Sequence, residues 1–420
     1  MSTDPLIDAA RELDSNDTLA IFRDRFNLPG VASGGVYLCG HSLGAAPREA
    51  RARVLEELDD WDRLGVDGHH AGRRPWIGYA ELLKDSLARL VGASPREVVA
   101  MNGLTVNLQL LMATFFRPEG IRRCIVVEEG AFSSDRHAVE THLKWHGLGA
   151  DALIELRPAT GSDLVEESQL EALLTDRGAE VALVLWPGVQ FRTGQAFDLA
   201  RIARATRAAG ARCGFDLAHA VGNTPLALND SGADFAVWCG YKYLNGGPGA
   251  LAGAFVHERA LAEALPRLGG WWGHDPQTRF RMAPGFVPAD GADGWQLSNP
   301  PILSAAPLLA SLALFDEAGN ARLRAKALAM GDFLIDALDR EFASALQIVT
   351  PREPERRGCQ LSLRVRAGAE AGRRLFAALE SRGVVADWRE PDIVRVAPVP
   401  LYNSFGDLAA LVLALRDSLR

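Results

Sequence analysis

Lys242 stands between two tyrosines in residues 235–256, FAVWCGYKYLNGGPGALAGAFV. An apolar run ends at Gly240, a glycine-rich turn follows the lysine, and a second apolar run begins at Ala250. This pattern predicts two buried strands flanking a loop centred on Lys242. An ammonium is costly to bury unpaired, and apolar surroundings favour its neutral, nucleophilic form. Lysines of this kind condense with carbonyl compounds, pyridoxal phosphate (PLP) above all. Taken alone, the residue also reads as a solvated loop lysine, so the case rests on what accompanies it.

PLP chemistry needs an acid to keep the ring nitrogen protonated, a group to stack on the ring, and amide or hydroxyl donors for the phosphate. In RCGFDLAHAVGN, apolar residues lead into Asp216, and His219 follows three positions on. Ligands of open α/β sheets sit beyond the carboxyl ends of the strands, which gives Asp216 a functional address, although a carboxylate there can also cap a turn. Residues 98–101 read as a strand running into an apolar helix that extends to Phe116, with Asn102 or Thr105 as N-cap. Backbone N–H groups and a Thr105 hydroxyl at a helix N-terminus suit a phosphate. Phe132 lies in a loop after a third strand, residues 124–127, and a helix opens near Ser134. Each signal is modest, and their chain order makes the joint case.

The elements that must position these residues alternate between strand and helix from about residue 95 to 260, including a strand at 181–185 and a helix at 197–209. This alternation implies an α/β fold with a mostly parallel sheet and helices on both faces. Residues 268–301 are irregular and aromatic, long enough to be functional. A long helix is expected from Ile302 toward Arg340, followed by a small α+β domain. The expected division is an N-terminal segment (1–50), a large cofactor-binding domain (51–310) and a small C-terminal domain (311–420).

The 420 residues carry a formal net charge of −8, which argues against a nucleic-acid or anionic-membrane partner, since either needs a basic face. The acidic start lacks a secretory pattern. The apolar stretch 302–315 is interrupted by Ser304, Pro307 and Ser311 and is too short to span a bilayer. A cytoplasmic location is expected. The five cysteines are widely spaced and read as reduced core residues. His69 and His70 are adjacent, and HLKWH (His142 and His146) lacks a metalloprotease glutamate, so neither predicts a metal site. Gly247, Gly249 and Ala252 mimic a dinucleotide fingerprint but precede a strand.

The segments MNGLTVNLQLL, AFSSD, DLAHAVGN, GYKYLNGGPG, GWWGHD, LSNPPI and RVAPVPLYNSF, spread from about residue 36 to 407, resemble the kynureninase family. That family has PLP-dependent fold type I, within the aspartate aminotransferase superfamily. The resemblance implies that Lys242 carries the cofactor covalently, Asp216 pairs with its ring nitrogen, Phe132 stacks on it and His219 lies close. Leu104, Thr105, Ser133, Ser134, Asp135, Tyr241, Trp271 and Asn299 are the further cofactor contacts it implies, some from the second subunit of a homodimer. Arg395 is implied for the substrate carboxylate, and His69, His274, Ser298 and Asn299 for the aryl ring. The implied reaction is hydrolysis of L-kynurenine or its 3-hydroxy form to alanine and anthranilate or 3-hydroxyanthranilate, with Tyr241 and Lys242 handling protons. Two positions depart from the family pattern: His41 in GHSLG, where the family usually has Asn, and Ser133, where it usually has Pro. Rival readings are an aminotransferase, a cysteine desulfurase or a non-catalytic protein of the same fold.

Overall fold

The computed structural model of the protein describes residues 4–30 and 34–419. Seven short apolar segments build the larger sheet: β1 (Val98–Ala100), β2 (Cys124–Glu128), β3 (Leu153–Leu156), β4 (Val181–Pro187), β5 (Arg212–Asp216), β6 (Phe235–Trp238) and β7 (Gly253–Val256). Their order across the sheet is β1-β7-β6-β5-β4-β2-β3. Neighbours from β6 to β3 are parallel, and β7 is antiparallel to both β1 and β6. Successive residues of a strand point to opposite faces. Thus Val126, Val184, Phe215 and Ala236 join one apolar cluster, while Ile125, Val127, Leu183, Leu185 and Val237 join another. Burial on both faces accounts for strands that are apolar throughout instead of alternating.

This topology fixes the site. β5 and β6 are parallel neighbours, so Asp216 at the end of one and the loop after Trp238 leave the sheet at the same edge. β7 returns antiparallel beside β6, and the intervening turn carries Lys242. Asn245, Gly247 and Gly249 hold positive φ there, which explains the glycine-rich sequence after the lysine.

A second, antiparallel sheet has the order β8 (Leu346–Ile348), β9 (Leu361–Val365), β11 (Ile393–Val396), β10 (Asp387–Arg389). Helices Asn320–Phe342 and Ala369–Ser381 pack against it, helix Phe405–Ser418 packs on those two, and their shared core takes in Leu6, Ala10, Val36 and Leu38 from the start of the chain.

The long helix expected from Ile302 is two helices, Ile302–Ala318 and Asn320–Phe342, bent by 83°. Gly319 breaks it, at φ 80° and ψ 133°, a conformation glycine adopts freely. Packing passes from the larger core to the smaller one between Ala327 and Met330. Among the described residues, no single helix is long and apolar enough to cross a membrane.

Candidate active site

One cavity is lined by Glu128, Phe132, Asp135, Trp186, Phe191, Asp216, His219 and Lys242. Lys242 is 8% exposed. Its Nζ lies 3.0 Å from His219 Nε2, 5.6 Å from the centre of the Phe132 ring and 6.0 Å from that of Tyr241. Burial first, and then the cations Lys242 and Arg395, hold the His219 imidazole well below its ordinary range, so the ring is neutral. Its Nδ1 is buried without a partner. Tyr241 is half-exposed, and partial burial raises its phenol to about 12.

Three carboxyl groups share this cavity. Asp216 accepts the Ala218 N–H at 2.7 Å, which holds the carboxylate at the turn after β5. Burial, then the Asp216 charge and a hydrogen bond to it, push Asp135 well above the usual carboxylate range. Burial, with a further push from Asp216, raises Glu128 to about 8. Neighbouring buried carboxyls cannot all ionise. They favour a cationic or N–H-bearing partner, and Asp135 Oδ1 is buried with none. The N–H of a protonated pyridine ring would answer that demand, Phe132 would be available to cover such a ring, and Lys242 would supply the amine an aldehyde requires.

A phosphate cradle completes the fit. The helices Leu104–Phe115 and Ser133–Trp145 begin after Gly103 and Phe132, and no side chain caps either. The expected Asn102 or Thr105 cap is therefore corrected. Asn102 sits at φ 50° and donates to Asn107, and Thr105 lies inside the first turn. Its Oγ1 is 2.6 Å from Ser134 Oγ, so the two hydroxyls bridge the two N-termini. Leu104 and Ser133 open the helices. Two helix N-termini without side-chain caps, joined by hydroxyls, suit a phosphate dianion.

Comparison with known proteins adds a decisive observation. A kynureninase from Xanthomonas campestris pv. campestris (strain B100) is 56% identical over 417 residues, 98% of each chain. The chain belongs to the kynureninase family. The model of the kynureninase C-terminal domain matches residues 323–415. Among solved structures, a C-DES mutant with glycine covalently linked to the PLP cofactor superposes with a TM-score of 0.79 at 19% identity, covering 94% of this chain and 99% of that one. The cysteine desulfurase CsdA from Escherichia coli gives 0.76 at 19%, with 96% and 98% covered. At that identity the likeness shows the shared architecture, fold type I of PLP-dependent enzymes.

Against that kynureninase background, the remaining expected residues divide. Arg395, on β11 of the small sheet, stands behind the cavity wall and does not line it: it is almost fully buried, donates to the backbone oxygen of the lining residue Phe191 at 2.7 Å and lies 2.8 Å from Asp387. His69 sits on a turn against Trp76, ring centres 5.4 Å apart, and buried Glu57 anchors that turn by accepting from Arg74, Trp76 and Tyr79. Trp271 and His274 line a different cavity. His274 is engaged locally by Thr278 and the Val287 N–H, and Trp271 donates to Arg279 O. Ser298 and Asn299 are exposed. None of His69, Trp271, His274, Ser298 and Asn299 lines the lysine cavity within one chain. The sequence reading assigned no role to Glu128, although it is a charge ending an apolar run, the same signal that singled out Asp216. It also assigned none to His41.

Proposed function

We propose that the protein hydrolyses L-kynurenine or 3-hydroxy-L-kynurenine with PLP, releasing alanine and anthranilate or 3-hydroxyanthranilate. The observation that carries this reading is the buried Lys242–His219 pair in one cavity with Asp216 and Asp135, with Arg395 beside it. Bound PLP supplies an aldehyde that condenses with amines and a ring that accepts an electron pair. Asp216 holds the proton on the ring nitrogen, and Asp135, kept protonated, supports it. Phe132 covers the ring face. Thr105, Ser133 and Ser134, with the N–H groups at Leu104 and Thr105, hold the phosphate, with the Tyr241 hydroxyl as a further donor. Arg395 takes the substrate carboxylate through its planar fork. Lys242 Nζ removes the α-proton, water adds to the side-chain ketone so that the β,γ bond breaks and the aryl group leaves as its carboxylic acid, and Tyr241 Oη with Lys242 returns a proton to the alanyl carbon.

The rival thiol chemistry finds no support at Cys359. It is buried, and burial pushes its thiol up to about 12, whereas a desulfurase needs an accessible thiolate. The aryl-ring residues His274, Ser298 and Asn299, with Trp271, reach the site as contributions of a second copy in a homodimer. The test is anthranilate fluorescence with both substrates, run beside Lys242→Ala. Wild type releases the aromatic acid and the variant does not. A PLP-loaded wild type that releases neither product sends the function to another amino-acid chemistry.

A further inference from the structure

His41 is fully buried, and neither ring nitrogen has a partner. An imidazole sealed from water with both nitrogens unsatisfied is costly, so it points to a partner the chain itself does not supply. The loop that carries it is fastened to the lysine turn: the Gly44 N–H donates to Tyr241 O at 2.8 Å. A Cβ on Gly44 would come within 2.3 Å of Lys242 O, so this contact tolerates only glycine. On its other side the loop follows Cys39, which bridges to Ala397 just after β11. His41 therefore rides on a loop tied both to the lysine turn and to the end of the strand that carries Arg395, its ring centre 6.4 Å from that of His219.

The groups around it select the partner. Ligand atoms of Cys39, His41 and Asp387 lie within 4.8 Å of one another, a grouping that could suggest a cation. Arg395 at 2.8 Å and Arg389 at 3.0 Å both lie against Oδ2 of Asp387, so two guanidinium groups already balance that carboxylate's charge. Burial, with the nearby Asp387 charge, raises the Cys39 thiol to about 11, so the thiol keeps its proton. With Lys242 nearby as well, cations outnumber anions and the place attracts an anion. Arg395 Nη1 is taken by Phe191 O at 2.7 Å and Nη2 lies 2.8 Å from Asp387, while Nε makes no hydrogen bond, which leaves the Nε–H of the guanidinium for a ligand oxygen. Burial, then Arg395, Arg389 and Lys242, keep the His41 ring neutral, with one N–H to donate.

We propose that His41 is a second carboxylate-binding residue, whose N–H hydrogen-bonds the α-carboxylate of the amino-acid substrate beside Nε of Arg395. This rests on the reading of the site as one for kynurenine-type amino acids. The test uses the PLP-loaded protein and two simple ligands, L-alanine and ethylamine, which differ in the carboxylate. In protein labelled with 15N-histidine, with the His41 signal assigned through His41→Asn, L-alanine shifts that signal and ethylamine does not. His41→Phe weakens inhibition by L-alanine about ten- to a hundredfold, the scale of a hydrogen bond to a charged group, and leaves ethylamine unaffected. The KM for kynurenine rises more than kcat falls, and His41→Asn, which keeps a donor, recovers part of the loss. A His41 signal indifferent to L-alanine, or equal weakening of both ligands, overturns the proposal. A His41 signal that responds in a protein releasing no anthranilate upholds it and overturns the kynurenine reading instead.

Discussion

Glu128, Asp135 and Asp216 meet because β2, the start of helix Ser133–Trp145 and β5 all open at one edge of the sheet. Without a cationic partner, their mutual repulsion and burial keep protons bound in the folded chain that the unfolded chain has released. The sign follows from linkage: a carboxyl raised from 4.5 to about 8 contributes stability that is fullest below pH 4.5 and is lost as pH rises through about 8. The buried histidines act oppositely and at lower pH, because unfolded imidazoles take up protons below about 6.5. Between pH 6.5 and 8.5 the carboxyls therefore dominate. Protein stripped of PLP should lose stability across that interval, by an amount on the order of a few kcal/mol. Glu128→Gln should flatten the slope while keeping the hydrogen-bonding shape. Urea midpoints at five pH values check it. A slope unchanged in the variant would mean that Glu128 is ionised throughout, with a counter-charge supplied from elsewhere.

At the scale of elements, the proposed phosphate cradle is a pair of helices that begin without side-chain caps. Helix N-termini ordinarily recruit Ser, Thr, Asp or Asn as caps, and here Gly103 and Phe132 occupy those positions. Thr105→Ala and Ser134→Ala should each weaken PLP retention about tenfold, the worth of a charge-assisted hydrogen bond. A titration of stripped protein followed by absorbance reads this directly, and the affinity for pyridoxal lacking the phosphate should not change. The sequence carried much of this arrangement. Continuous apolar runs marked the buried strands, and a single charge closing such a run marked Asp216. The cap was misread because Asn102 and Thr105 are good capping types, while the true position is a glycine whose choice depends on a ligand. The break at Gly319 was missed for a related reason. Apolar spacing continues on both sides, and only the glycine's backbone angles turn the chain toward the second core. Arg395 and His41 were unreadable as neighbours, since their sequence separation is closed only by the small sheet docking against the lysine loop.

At the scale of the whole molecule, the residues proposed for the aryl ring lie apart from the lysine cavity. Leu268, Trp271, Phe280, Met282, Phe286 and Val287 are all exposed within one stretch of twenty residues. An apolar concentration of that kind marks an interaction surface. The same stretch and its continuation hold His274, Ser298 and Asn299, which in one chain do not line the lysine cavity. A two-fold pairing of identical chains would set this surface of each copy against the cavity of the other, giving two shared sites per dimer. Co-expression of Lys242→Ala chains with Trp271→Ala/Asn299→Ala chains, each carrying its own tag, tests this. In a shared-site dimer, random pairing makes half of the molecules hybrids. Each hybrid has one site with both defects and one with neither, so about a quarter of the wild-type activity returns although both parents are inactive. Tandem affinity purification of the hybrids should raise that to about half. Hybrids as inactive as their parents would mean that each chain completes its own site. Trp271 and Asn299 would then have to reach Lys242 by rearrangement of residues 268–301, and the exposed apolar stretch would need another role.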